Sequence, residues 1–142
     1  MMRLLVIFSL LFLYQDTAER LKGRWALRSY DAIDKIRTSP AYLFGDDKDR
    51  EALEKQFMEI LTKGEYNFTA DTLHYTDLEG GAIVYRDALW HLDGLVLYID
   101  EINRPYHRQA FIHHVSLDSL VMSPIINGET GSARMRFVRR EK

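Results

Sequence analysis

The side chains best placed to do chemistry are Asp87 with His91, His113, and the arginines Arg134 and Arg136. Asp87 and His91 lie four residues apart in an alternating run and so share one strand face. An enzyme built on Asp87, His91 or His113 would need a polar pocket holding a perturbed histidine or carboxylate. No serine sits in a nucleophile-elbow context, no glycine-rich phosphate loop is present, and the chain has 0 cysteines, so nothing reads as catalytic machinery. The expectation is a protein that is not an enzyme and carries no cofactor. The histidines suggest no metal site either: His113 and His114 point to opposite faces of one strand, and His74, His91 and His107 fall on separate elements. His113 shares the parity of Phe111 and Val115, which turns its ring inward. There it either donates to a ligand's carboxylate or carbonyl, or bonds to backbone as a core histidine. Arg134 and Arg136 are expected to face solvent.

These residues need a framework. A chain of 142 residues fits one domain, and 46% hydrophobic and 12% aromatic residues suffice for a continuous core. The formal net charge is −2 with basic and acidic residues interleaved, so no footprint for a phosphate backbone exists and nucleic acid is not an expected partner. Arg3 followed by the apolar run Leu4 to Tyr14, broken only by Ser9, has signal-peptide architecture. The run is shorter than the roughly 20 residues that cross a bilayer. Residues 1–18 are therefore read as a signal peptide ending at the small pair Thr17-Ala18, and residues 19–142 as the mature domain; the alternative is an uncleaved anchor or a buried helix. Without cysteine there is neither a disulfide nor a lipid-carrying residue, which suits a soluble periplasmic or secreted protein with no stable membrane anchor after cleavage. Asn67-Phe68-Thr69 matches a glycosylation acceptor but also fits an ordinary strand, and is read as strand.

Along the mature chain, Leu21 to Asp31 reads as a first strand, while Ile33 to Gly45 fits neither period and stays unassigned. Asp47 to Lys63 reads as a helix with the stripe Leu53, Phe57, Ile60 and Leu61. An aspartate at 46 or 47 caps its start, and Gly64 supplies a left-handed end. Beyond Gly64 the period is two, and seven further strands follow: Glu65 to Thr69, Thr72 to Asp77, Ala82 to Leu92, Leu95 to Glu101, Arg108 to Ser116, Ser119 to Ile126 and Ala133 to Arg140. Asp93-Gly94 and Asn127-Gly128 are the strongest hairpin signals between them.

Eight strands in sequence order can close on themselves and remove both sheet edges. The expected fold is an all-β, eight-stranded antiparallel up-and-down barrel with one helix between the first and second strands; a strongly bent open sheet is the competitor. Strand parity turns Tyr66, Phe68, Tyr75, Trp90, Phe111 and His113 inward as candidate ligand-binding residues, along with Leu95, Leu97, Ile99 and Phe137. Such an interior is either filled by side chains or holds one small ligand.

Leu21-Lys22-Gly23-Arg24-Trp25, the run Gly64 to Asp71, the run Leu89 to Leu97 and the run Val115 to Met122 together resemble small lipocalin-like domains exported by Bacteroidetes-type bacteria. These domains are related in shape to lipocalins and fatty-acid-binding proteins. The resemblance implies a structural closure in which Gly23 and Trp25 of the opening strand meet an arginine of the last strand, Arg139 or Arg140, with Arg139 preferred. Arg134 to Phe137 is similar to the Arg-x-Tyr clamp of fatty-acid-binding proteins, but the tyrosine is missing. The implied function is a binding protein for a small hydrophobic molecule such as a fatty acid or lipid. The alternative is a filled barrel that meets a protein partner through Tyr30, Tyr42, Leu43 and Phe44.

Overall fold

The alternating runs after Gly64 do fold as antiparallel strands. The computed structural model describes residues 17–140, so almost all of the expected signal peptide lies outside the described residues. The strands are β1 (Gly23–Tyr30), β2 (Glu65–Phe68), β3 (Thr72–Glu79), β4 (Ala82–Asp93), β5 (Val96–Glu101), β6 (His107–Val115), β7 (Ser119–Ile126), β8 (Glu129–Thr130) and β9 (Met135–Arg139). Each of β1 to β6 pairs with the next, and β9 pairs with both β7 and β1. This closes an eight-stranded antiparallel barrel. The two-residue β8 is an appendage on β7, made by a tight turn in which Asn127 (φ 53°) and Gly128 (φ 78°) both take left-handed backbone. That geometry is what an Asn-Gly pair supplies at little cost.

Between β1 and β2 lie three helices, α1 (Asp31–Arg37), α2 (Pro40–Leu43) and α3 (Asp47–Lys63). The stretch that fits neither period is thus two short helices. Only Ile33 is buried in them, too little to print a stripe on the sequence. Ser39 caps α2 by accepting from the Tyr42 N–H, with Pro40 in the first turn. α3 keeps the expected bounds: Asp46 accepts from the Lys48 N–H, Phe57 is buried, and Ile60 and Leu61 pack against the barrel core.

Gly64 corrects an expectation. Its φ is −59° and its ψ 117°, extended backbone and not the left-handed cap. Glycine is required there by crowding. A Cβ would lie 2.4 Å from the Ile60 carbonyl oxygen and 2.8 Å from Leu27 Cβ, because the Leu27 N–H donates to the Gly64 carbonyl at 2.9 Å and pins the helix end on β1. Gly64→Ala is expected to cost about 1–3 kcal/mol through forced displacement of β1 or α3, read as a lower urea midpoint.

The core runs from Leu21, Trp25 and Phe68 at one end through Leu73, Ala88, Leu97 and Ile112 to Met122 and Phe137. Three inward assignments shift. Leu95 lies in the turn before β5 and is exposed. In β6 the register slips between Ile112 and His114, leaving His113 as an extra residue. Counting back from Val115, which opposes buried Leu120, puts His113 and Phe111 inside; the inserted residue reverses the parity, so Ala110 and Ile112 face in and Phe111 and His113 face out.

Candidate functional site

The two ends of the barrel differ. The end away from the helices is packed solid. Arg139 lies over the Trp25 ring, 4.1 Å from its centroid, and donates to the carbonyl oxygens of Lys22 at 2.7 Å, Arg20 and Leu117. The Trp25 indole N–H donates to the Leu21 carbonyl at 2.8 Å, within the helical turn at 17–21. Gly23 fits because its φ is +122° and a Cβ would stand 2.6 Å from Arg139 Nη1. Arg140 points elsewhere and pairs with Glu65 at 3.2 Å. Phe68 and Trp90 meet edge to face at 5.2 Å, and the Trp90 indole donates to the Thr69 carbonyl at 3.0 Å.

The helix-bearing end is hollow. A cavity of about 630 Å³ opens between Leu27, Ile60 of α3, Met122, Met135, Phe137 and the β3–β4 hairpin at Leu78 and Ile83. Of the six ligand candidates from the sequence, Tyr66 alone walls it. Phe68, Tyr75 and Trp90 are core, filling the interior below. Phe111 and His113 stand outside the barrel, where His113 Nε2 meets Ser123 Oγ at 2.8 Å and the Phe111 ring packs on the imidazole at 5.0 Å. Burial, helped by the charge of Arg134, lowers the His113 pKa.

Beside the cavity lies an inward-facing ionic cluster that strand patterning had not singled out. Glu101, with 2% of its side chain exposed, accepts two bonds from Arg104 at 2.6 and 2.9 Å and one from the Tyr75 hydroxyl. Arg108 donates to Asp77 at 3.0 Å and stands 4.0 Å from Glu101. Arg86 pairs with Glu79 and lies 3.7 Å from Asp77. The Arg104 bonds hold the Glu101 carboxyl at a pKa of about 2, whereas burial and the bond to Glu101 raise that of Tyr75. Three arginines face three carboxylates, so the cluster is neutral as a whole. The signal for it was present in parity: Arg86 alternates with Ala88 and Trp90, and Glu101 with Leu97 and Ile99.

Neither Asp87 nor His91 lines the cavity: Asp87 pairs with His74, and His91 stacks on Tyr98 at 4.8 Å. Among the described residues, no three His, Asp or Glu side chains are grouped to hold a metal ion, and no helix is long and apolar enough to cross a membrane. No family model matches the sequence, and no curated protein matches it. A solved lipocalin-like protein from Bacteroides uniformis is similar in structure, with a TM-score of 0.51, 16% identity, and coverage of 85% of this chain and 99% of that one. The fold is lipocalin-like.

Proposed function

We propose that this chain is an exported binding protein that holds one small, mainly apolar molecule, such as a lipid or lipid fragment, at the helix-bearing mouth of its barrel. The observation that carries the reading is the cavity of about 630 Å³, whose wall is mainly apolar surface with Leu, Ile, Met and Phe side chains prominent in it, within the size range of small-molecule sites. Ile60 of α3 and Gly64 just past its end contribute to the wall, so α3 acts as the lid. Lipocalin-like barrels generally bind ligands and do not catalyse, which supports a carrier over an enzyme. Export, to the periplasm or out of the cell, rests on the Arg3 start and the apolar run that follows it.

Native mass spectrometry of the purified mature protein, before and after organic extraction, tests the reading. A bound mass that leaves on extraction, or uptake of an added apolar probe by the extracted protein, is the expected result. Ala110→Phe, which fills the cavity wall opposite Pro124, should abolish that uptake while the fold persists by circular dichroism. A clean apo mass with no uptake of any lipid would overturn the proposal.

One observation favours a second reading, a protein partner on the outer surface. Leu43 and Phe44, 51% and 87% exposed, stand together at the end of α2. Of the other residues expected on that surface, Tyr30 walls the cavity and Tyr42 donates to Glu54 at 2.6 Å. Loss of a captured partner in a Leu43→Ser, Phe44→Ser variant, with ligand uptake intact, would support this reading.

A further inference from the structure

We propose that the cavity selects amphiphiles whose polar end is an uncharged hydrogen-bond acceptor, an ester, ketone or alcohol, and disfavours ionised carboxylates. The inference rests on the cavity reading above and narrows its ligand class.

The polar wall includes Thr76, Gln109 and Asn127, His107 bonded to Asp100, and Glu65 paired with Arg24 and Arg140; two further sets of groups bear on the choice of head group. The first is a pair of phenols: Tyr30 and Tyr66 both wall the space, and neither hydroxyl makes a hydrogen bond within the described residues. The one sealed side-chain polar atom left unbonded among those residues is Arg86 Nε, so neither phenol oxygen is sealed off, and both residues wall the cavity. The Tyr66 ring is fixed by Phe68, Tyr75 and Phe137 at 5.1 to 6.2 Å, so its hydroxyl is a positioned donor. Burial pushes its pKa up to about 12, which keeps it protonated. Arg108, Asp77 and Tyr30 are its electrostatic neighbours, so these polar groups converge on one side of the cavity.

The second set is ionic, and it is already matched. Arg108, the arginine that walls the cavity, bonds to Asp77, which walls it too. Arg104 and Arg86 behind them are held by Glu101 and Glu79. A carboxylate entering here would lose its water, approach Asp77 and find no uncompensated cation, the condition under which burying a charge is most costly. An ester or alcohol oxygen needs only a donor, and the two phenols supply it. Each such bond, once lost, should weaken binding about three- to tenfold.

The test displaces the uncharged fluorophore N-phenyl-1-naphthylamine from the full mature protein with methyl decanoate, 1-decanol and decanoate at pH 8. Methyl decanoate and decanol should displace at concentrations at least about tenfold below decanoate. Because the carboxylate is also the most water-soluble of the three, the deciding readouts are changes in that ratio. Tyr30→Phe with Tyr66→Phe should weaken the ester about tenfold and leave the fluorophore unchanged. Asp77→Asn, which frees Arg108, should tighten decanoate about tenfold and the ester by less than about threefold. A ratio that moves in neither variant, or wild-type binding of decanoate as tight as the ester, overturns the head-group inference and leaves the cavity reading standing. Failure of the fluorophore and all three amphiphiles to bind overturns both.

Discussion

Trp25→Ala should lower the unfolding free energy by about 3–5 kcal/mol, a large part of the 5–15 kcal/mol typical of a domain. The indole is fully buried, and it is the surface on which four segments meet: the turn at 17–21, the start of β1, the β6–β7 turn and the end of β9. Arg139 joins them by lying on the ring and donating to three backbone carbonyls that no strand partner satisfies. An ammonium cannot span three acceptors spread around a planar fork, so Arg139→Lys should be destabilising although charge is kept. Arg140→Ala removes only an exposed pair with Glu65 and should be nearly neutral. Urea unfolding of the three variants checks the order Trp25→Ala, Arg139→Lys, Arg140→Ala. Equal effects of the two arginine changes would show that position 139 has no special role in closure.

How much of this was legible in the residues depends on whether burial leaves a periodic trace. α3 is readable to its ends because an aspartate cap, a four-residue apolar stripe and a terminal glycine agree. α1 and α2 are not, since they bury a single isoleucine between them. Eight barrel strands follow from alternation and turn chemistry, but the parity rule fails at one inserted residue, and the bulge at His113 carries no sequence mark that separates it from regular strand. Whether the barrel is hollow or filled had no single answer in the sequence. Trp25, Phe68 and Trp90 fill one end, whereas Ala110, Pro124 and the medium-sized residues around Met122 leave space at the other. The ionic cluster was hidden by the assumption that a charge in a strand faces water, although Arg86 and Glu101 stand at core parity.

That cluster is the second place where one substitution should cost most. Glu101 is almost wholly enclosed, and its carboxylate is the common acceptor for Arg104 and Tyr75. Removing it by Glu101→Ala leaves a guanidinium and a phenol without their partner in a site with little water, and should cost about 3–5 kcal/mol. The same interactions set a pH dependence. The carboxyl titrates at about 2 in the folded protein against 4.5 ordinarily, so its contribution to stability is complete above the ordinary value and declines as pH falls from there toward 2. Asp31 and Glu54 are shifted the same way by Arg136 and Arg37, so the acid loss of the wild type is shared. Glu101→Gln separates the contributions: it keeps the volume and an acceptor but cannot titrate. The difference in unfolding free energy between wild type and Glu101→Gln should therefore shrink between pH 6 and pH 3. A constant difference across that range would mean that the cluster is held by shape and hydrogen bonding, with the charge on Glu101 contributing nothing, and the balanced ionic wall beside the cavity would then lose its basis.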